Sequence, residues 1–242
     1  MSYQPPPYFV AHRGLSACYP ENTLAALDAA IQYTPYIEVD VQLTADHQLL
    51  LFHDRTTEQL LGIPGAISDY HLEEILNHQV KAPLNSSKAA MIASAEQLAD
   101  WIRKNPKCHL YIEAKRISIE TFSVEVMYQQ IKEVFQTVSN QCTIISYHQP
   151  FIHHVQQDNQ FQTGWILENW ADREKISQFL SLDVIFADID YIPSDYHHVA
   201  QTTPWVIFEV ATPAQANKLY AQGFRWFESF DCAKALHWVK DD

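Results

Sequence analysis

The sequence contains little glycine and little positive charge. Only five of its 242 residues are glycine, which disfavours an all-β fold built on many tight turns. Lysine and arginine number 16 against 29 aspartates and glutamates, so the formal net charge is −13. Such an acidic chain has no broad basic surface for a polyanion, and we therefore expect no nucleic-acid partner.

Signals for disulfides, secretion and membrane insertion are missing as well. The first ten residues include Pro5–Pro7 but no basic segment followed by an apolar stretch, and no apolar run approaches the roughly 18 residues of a membrane span. The four cysteines are widely spaced without a C-x-x-C pair, as is typical of reduced thiols: Cys18, Cys108, Cys142 and Cys232. We expect a cytoplasmic protein without stable membrane insertion, and the sequence leaves its oligomeric state open.

What the sequence does contain is a regular alternation of strand-like and helix-like segments, with 47% hydrophobic residues. Several apolar runs are continuous, as in parallel strands buried on both faces. The strand-like runs are Tyr8–His12, Tyr36–Leu43, Gln48–His53, His109–Lys115, Cys142–Tyr147, Thr163–Leu167, Asp183–Asp188, Trp205–Val210 and Arg225–Phe230. The helix-like segments include Glu21–Gln32, Ile119–Thr137 and Ala214–Gln222. This pattern predicts a TIM-type (β/α)8 barrel, and a doubly wound open sheet is the alternative.

Two features depart from a simple barrel. There are nine strand-like runs for eight places, and only Thr44–His47 separates the second run from the third. A parallel crossover needs a dozen or more residues, so this pair is either a local hairpin or an unusual connection. The stretch 54–92 is long for a loop, and we predict a small insertion there, after the third strand and over the barrel mouth. We expect residues 1–242 to form a single domain.

Polar residues interrupt these apolar runs at a few positions. They are His12 and Arg13, Glu38 and Asp40, His53, and Glu113 and Lys115. A single histidine or charged pair of this kind is usually structural, filling a hydrogen bond or an ion pair. Charges at several separate strands are harder to explain by structure alone, because each would be costly to bury unless paired or bound to a metal. In a barrel, the carboxyl ends of the strands form the catalytic mouth, where these residues would meet.

The residue types suit cleavage of a phosphodiester. The carboxylates Glu38, Asp40 and Glu113 are ligands that Ca²⁺ or Mg²⁺ prefers, whereas the spacing of histidines and cysteines does not indicate zinc. His12 and His53 could supply an acid and a base near neutral pH. Arg13 and Lys115 could offset the charge of a phosphate, which an acidic chain otherwise repels.

The ordered motifs resemble the glycerophosphodiester phosphodiesterase family. They are Ala11-His12-Arg13-Gly14, Pro20-Glu21-Asn22-Thr23, Glu38-Val39-Asp40-Val41-Gln42-Leu43-Thr44, His53-Asp54 and Glu113-Ala114-Lys115. The resemblance implies a TIM-type barrel, a divalent metal held at Glu38, Asp40 and Glu113, acid–base chemistry at His12 and His53, and phosphate contacts from Arg13 and Lys115. It also implies a small-molecule glycerophosphodiester as substrate and a reaction through a cyclic phosphate, giving glycerol 3-phosphate and an alcohol.

Other interpretations remain open. A lysophospholipid-directed phosphodiesterase would need an apolar rim, for which Leu60, Leu61 and Ile63 are the candidates. A non-catalytic barrel that binds a phosphorylated ligand would be expected to lack one of the site residues, and none is missing. Departures from the family pattern lie at Phe208–Ala211 and Phe230-Asp231, where substrate specificity is expected to differ. Glu209 is there either a substrate-facing group or a locally hydrogen-bonded one.

Overall fold

Eight parallel strands close into a barrel in the computed structural model, which describes residues 7–84, 86, 88–179, 181–198 and 203–239. The strands are β1 (Tyr8–His12), β2 (Tyr36–Leu43), β3 (Leu49–Leu51), β4 (Gln79–Val80), β5 (Ala90–Met91), β6 (His109–Ala114), β7 (Cys142–Ser146), β8 (Gln162–Ile166), β9 (Val184–Asp188), β10 (Trp205–Phe208) and β11 (Trp226–Ser229). The barrel order is β1-β11-β10-β9-β8-β7-β6-β2, and β2 pairs again with β1. The predicted TIM-type barrel is confirmed.

The third predicted run, Gln48–His53, forms a hairpin outside the barrel and is the one run too many for eight places. Strand β3 pairs antiparallel with the end of β2, with Val41 opposite Leu51 and Leu43 opposite Leu49. Thr44 organises the turn, because its backbone N–H donates to Gln48 O at 3.0 Å and its hydroxyl accepts from Gln48 N at 2.9 Å. The short connection is therefore a hairpin turn, and the next barrel strand along the chain is β6.

Helices surround the barrel and cover its outer face. They are α1 (Leu24–Ala30), α2 (Glu58–Leu61), α3 (Leu72–Ile75), α4 (Ala95–Lys104), α5 (Arg116–Thr121), α6 (Val124–Phe135), α7 (Gln149–Gln156), α8 (Pro213–Ala221) and α9 (Cys232–Ala235). Four 3₁₀ segments occupy Ile67–Asp69, Gln136–Gln141, Trp170–Gln178 and Ile189–Tyr191. In the described ranges, no helix is long and apolar enough to cross a membrane.

The single long helix predicted over Ile119–Thr137 is wrong. The chain instead forms α5 and α6, which are separated at Phe122 and Ser123. The Ser123 hydroxyl accepts a hydrogen bond from Val126 N at 3.3 Å and caps α6, so the chain starts a new helix at this point. A periodic apolar pattern continues through the break, and it therefore conceals the change of direction.

The stretch 54–92 carries α2, α3, β4, β5 and the first 3₁₀ segment, with residues 85 and 87 outside the described ranges. It has a small apolar cluster of its own, made of Leu50, Phe52, Leu61, Ile67, Ile75, Val80 and Ile92. Two members of this cluster, Leu50 and Phe52, lie in or just after β3. The hairpin thus joins the stretch 54–92 to the barrel at the point where His53 follows.

A second apolar cluster fills the inside of the barrel below the mouth. Its buried members are Val10, Tyr111, Ile145, Ile166, Val184, Phe186 and Val206. Side chains two residues apart on a strand share a face, so the next inward position on several of these strands lies nearer the carboxyl end. His12 follows Val10 and Glu113 follows Tyr111 in this way, and both are therefore placed at the mouth above an apolar floor.

Candidate active site

A small cavity at the carboxyl end of the barrel contains most of the residues predicted from the sequence. Its volume is about 90 Å³. It is lined by His12, Arg13, Glu38, His53, Glu113 and Lys115, together with Ile145, Tyr147, Ile166, Phe186, Phe208, Glu209 and Glu228. Asp40 is 1% exposed and lies behind this lining, in contact with Arg13 and Lys115. The structure thus brings all seven predicted site residues together.

The three predicted metal ligands form a buried carboxylate cluster. Ligand oxygens of Glu38, Asp40 and Glu113 lie within 4.8 Å of one another. Lys115 Nζ bridges two of them, at 3.1 Å from Asp40 Oδ1 and 2.8 Å from Glu113 Oε1. Arg13 Nε lies 3.2 Å from Asp40 Oδ2. Asp40 therefore has two cationic partners, whereas in the described part of the chain Glu38 accepts its hydrogen bond from the backbone N–H of Arg13, at 3.2 Å.

The pKa values of the cluster follow from this uneven pairing. Burial alone would raise the pKa of Asp40, but Lys115 and Arg13 outweigh it and hold that pKa well below its usual range. Burial raises the pKa of Glu38 well above its usual range, and the nearby carboxylates of Asp40, Glu228 and Glu113 add to the effect. Burial also raises the pKa of Glu113, against the attraction of Lys115.

A divalent cation fits this carboxylate cluster. Glu38 Oε1 is buried and has no hydrogen-bond partner in the part of the chain that the structure describes. An unpaired buried carboxylate oxygen is costly, and a cation would offset that cost. The donors are all oxygens, which suits Ca²⁺ or Mg²⁺ better than a metal that prefers nitrogen or sulfur.

Residues of the motif Pro20–Thr23 form hydrogen bonds to the carboxylate cluster and to Arg13. Thr23 caps α1 by accepting from Ala26 N at 3.3 Å, as expected for a helix start. Asn22 has a further role that the sequence did not reveal. Its Nδ2 donates to Asp40 Oδ2 at 2.9 Å, and its Oδ1 accepts from Asp40 N at 3.0 Å. Glu21 Oε1 accepts from Arg13 Nη1 at 2.9 Å, so the motif positions both Asp40 and Arg13.

The two histidines have different surroundings. The His12 ring stacks on Phe230, with centroids 4.5 Å apart, and its Nε2 lies 3.8 Å from Glu38 Oε2. Burial lowers the pKa of His12 well below its usual value. His53 is half-buried, and its Nδ1 lies 2.9 Å from Asp54 Oδ1. That contact is the one expected of an aspartate that orients His53, and it leaves Nε2 as the nitrogen available to a substrate.

Glu228 is a cavity residue that the sequence analysis missed. It is 2% exposed in β11, and its Oε2 lies 3.9 Å from His12 Nε2. Burial raises the pKa of Glu228 well above its usual range, against the attraction of Arg13. The signal was present, since Glu228 interrupts the run Trp226–Ser229 as the other site residues interrupt theirs. Glu209 is exposed and lines the same cavity, as a substrate-facing group would.

The three candidate residues for an apolar rim pack mainly within the stretch 54–92. Leu61 is buried in the apolar cluster of the stretch 54–92, and Leu60 and Ile63 pack against that cluster. A larger outer cleft of about 630 Å³ instead shares His53, Glu113, Lys115 and Tyr147 with the inner cavity. It is also lined by Arg55, Arg116 and Glu168, so polar and charged side chains surround the approach to the site.

Known proteins resemble this chain both in sequence and in fold. The Bacillus subtilis protein YhdW is 44% identical over 69 residues, which is 28% of each chain. A glycerophosphodiester phosphodiesterase of Bacillus altitudinis is 28% identical over 140 residues, which is 57% of each chain. The aligned stretches thus span less than two thirds of the length of either relative.

Solved structures share the barrel over nearly its whole length. An Oleispira antarctica phosphodiesterase, solved in complex with the product sn-glycerol-3-phosphate, superposes with a TM-score of 0.80 at 20% identity and covers 97% of both chains. A glycerophosphodiester phosphodiesterase of Agrobacterium tumefaciens gives a TM-score of 0.72 at 17% identity over 96% of this chain and 100% of its own. The family model described as "Glycerophosphoryl diester phosphodiesterase family" matches residues 12–189, well over half of the sequence. The chain belongs to the glycerophosphoryl diester phosphodiesterase family.

Proposed function

We propose that this protein is a metal-dependent phosphodiesterase that hydrolyses small glycerophosphodiesters to glycerol 3-phosphate and an alcohol. One observation carries the proposal. A single cavity brings two histidines together with two cationic side chains and a buried carboxylate cluster. Family membership supports the reaction class, and the product bound to the Oleispira antarctica phosphodiesterase supports glycerol 3-phosphate as a fitting ligand.

In this proposal Glu38, Asp40 and Glu113 hold a divalent cation, either Ca²⁺ or Mg²⁺. When bound, the cation would neutralise phosphate charge and polarise a phosphoryl oxygen. Arg13 and Lys115 line the same cavity and would contact the remaining phosphate oxygens. The bound cation, together with Arg13 and Lys115, would offset the negative charge of the carboxylates beside the phosphate, so that the acidity of the whole chain need not oppose binding.

The histidines would move protons in two steps. In the first, one histidine takes the proton of the glycerol 2-hydroxyl while that oxygen bonds to phosphorus. The bond from phosphorus to the alcohol oxygen breaks, and the other histidine protonates the departing alcohol. In the second step, water opens the cyclic phosphate with the two histidines in exchanged roles, which restores both and leaves glycerol 3-phosphate.

The test is release of glycerol 3-phosphate from several glycerophosphodiesters, measured with and without a chelator. We expect His12→Ala and His53→Ala each to lower kcat by about 10²- to 10⁴-fold. His71→Ala is the matched control, because the His71 side chain is 64% exposed and does not line the cavity. Of the two cavity variants, the one that lacks the general acid should regain activity on a p-nitrophenyl ester, because its leaving group needs no proton.

Several outcomes would contradict the proposal. Activity that is unchanged by the chelator would rule out dependence on a metal. Activity that is retained in both histidine variants would rule out the proposed proton transfers. Full turnover of a 2-deoxyglycerol substrate would favour direct attack by water over the cyclic phosphate. Binding of glycerol 3-phosphate without turnover of any diester would indicate a non-catalytic barrel, and turnover of lysophospholipids alone would indicate the lipid-directed alternative.

A further inference from the structure

We infer that His12, Glu38 and Glu228 form a second cation site, which shares Glu38 with the first and takes a cation that accepts nitrogen, such as Zn²⁺. The three residues come from β1, β2 and β11, which are adjacent in the barrel. One ligand atom from each lies within 4.8 Å of the others. His12 Nε2 is 3.8 Å from Glu38 Oε2 and 3.9 Å from Glu228 Oε2, too far for hydrogen bonds.

Unpartnered polar atoms point to a missing ligand at this site. Glu38 Oε1 and Glu228 Oε1 are both buried without a hydrogen-bond partner in the described part of the chain, and so is His12 Nδ1. The residues are 3%, 2% and 7% exposed, respectively. Leaving the two carboxylate oxygens unsatisfied is costly, and a cation held between the two carboxylates and His12 Nε2 would offset that cost.

The cationic side chains of the cavity form their ion pairs with other carboxylates. The ion pairs of Lys115 are with Asp40 and Glu113, and those of Arg13 are with Asp40 and Glu21. Within the described ranges, the ion pair of Glu228 is with His12, and it carries two charges only when His12 is protonated. Glu228 is thus a deeply buried carboxylate with no permanently charged partner in contact.

The two sites differ in the metals they suit. Zn²⁺ accepts imidazole nitrogen as well as carboxylate oxygen, so it suits the set with His12, whereas an all-carboxylate set suits Ca²⁺ or Mg²⁺. The two sites also compete. With His12 neutral, the four carboxylates of the two sets and the two cations Arg13 and Lys115 sum to a formal charge of −2. One divalent cation balances that charge. Because Glu38 belongs to both sets, a cation in one site weakens binding in the other.

Occupation of the second site would inhibit the reaction. An imidazole nitrogen that binds Zn²⁺ has no lone pair left to take a proton from the substrate. This consequence rests on the proposed function, since it assumes that His12 transfers a proton. The binding site itself does not depend on that assumption, and it can be tested without any substrate.

The first experiment titrates the chelator-treated full chain with Zn²⁺ in a calorimeter. We expect Glu228→Gln to weaken the tightest Zn²⁺ site by about tenfold or more, the loss typical of metal-site substitutions. Glu209→Gln is the matched control, because it removes one negative charge at the same cavity from a residue outside the cluster. It should change Zn²⁺ affinity by less than about twofold. Equal Zn²⁺ affinity for wild type and Glu228→Gln would overturn the inference.

A second measurement uses the wild-type chain and so does not depend on the folding of a variant. The chain has 12 histidines, whose ring nitrogens can be followed by ¹⁵N NMR. One equivalent of Zn²⁺ should shift a ring nitrogen of His12, and excess Mg²⁺ should reverse that shift. A His12 signal unchanged by Zn²⁺ would overturn the site. Zn²⁺ binding at His12 without inhibition would leave the site in place and contradict His12 as a proton-transfer residue.

Discussion

At the scale of single residues, Asn22 shows how a loop residue can fix a proposed metal ligand, Asp40. Its side-chain amide makes two hydrogen bonds to Asp40, one to the carboxylate and one to the backbone. Asn22 is 2% exposed and has a left-handed backbone with φ of 55°, which asparagine tolerates better than most residues. The loop after His12 is thereby bonded to both the carboxylate and the backbone of Asp40.

We expect Asn22→Ala to weaken binding of the divalent cation by about 10- to 100-fold, because Asp40 loses its orienting contacts. The same change should lower the free energy of unfolding by about 2 kcal/mol, since two buried groups of Asp40 lose a partner. Calorimetric titration and urea unfolding measure the two effects. Thr56→Ala, an exposed change at the outer cleft, is the control. Unchanged cation affinity in Asn22→Ala would show that Asp40 needs no such support.

The surroundings of His109, at the opposite end of the barrel, predict how the stability of the fold depends on pH. Burial lowers its pKa, although Asp183 acts against the shift, and its Nε2 lies 2.8 Å from Thr143 Oγ1. The folded chain thus favours the neutral ring, whereas the unfolded chain takes up a proton near pH 6.5. Stability from the neutral ring is present above about pH 6.5 and is lost as the pH falls toward the folded pKa.

The replacement His109→Gln keeps a hydrogen-bonding group toward Thr143 and removes the titration. Between about pH 7.5 and about pH 5, the variant should therefore lose less stability than the wild type. Urea unfolding at several pH values measures the difference, and an NMR titration of the His109 ring should give a midpoint below 6.5. Parallel pH profiles for the two proteins would contradict the assignment.

At the scale of secondary-structure elements, two connections shape the site. The hairpin from β2 to β3 returns the chain to the mouth, so His53 follows β3 close to residues carried by β2. Helix α5 begins at Arg116, directly after Lys115, and the break before α6 ends it at Thr121. Both connections use short polar groups, Thr44 in the turn and Ser123 at the helix start. These elements position the site although neither reacts.

Removing the helix cap in Ser123→Ala should lower the free energy of unfolding by about 1 kcal/mol. For a chain of this size, the expected fall in Tm is about 2–4 °C. Ser123→Asp is the control, because aspartate also caps helices, and it should keep the wild-type Tm. Differential scanning calorimetry measures both. A cap that contributes nothing would leave Ser123→Ala and Ser123→Asp with equal melting temperatures.

At the scale of the whole molecule, barrel closure concentrates like charges in one small space. Glu38, Asp40, Glu113 and Glu228 are each at most 8% exposed, and two cationic side chains balance only half of their formal charge. Burying unbalanced charge destabilises a folded chain, and any ligand that binds only the folded state stabilises it. Folding and cation binding should therefore be linked.

A divalent cation at about 100 times its Kd should stabilise the fold by about 2.7 kcal/mol. That gain corresponds to a rise in Tm of about 5–10 °C, and a chelator should reverse it. Thermal melting with Ca²⁺ and with Mg²⁺ measures the rise. Glu113→Gln removes one ligand and should reduce the response. If the cation leaves Tm unchanged, the carboxylate cluster does not bind it in the folded protein.

Much of the site could be predicted because buried charge is rare in apolar strands. Glu38, Asp40 and Glu113 all stand out for that reason. Glu228 satisfies the same rule and was missed because the neighbouring segment, Phe230-Asp231, departs from the family pattern. Asn22 could not be found this way, since a polar residue before a helix has an ordinary structural explanation. The end of a helix within a continuous apolar pattern, as at Ser123, is likewise hidden from periodicity.

The sequence by itself determined the barrel and most of the charged residues of the candidate site, because strand and helix periods and the placement of charges are local properties of the chain. Only the tertiary structure decided that β3 turns back along β2 and that Glu228 meets His12. These contacts depend on which segments become neighbours when β1 pairs with both β2 and β11. Residues from the two ends of the chain then share one cavity, and local patterns carry no record of that closure.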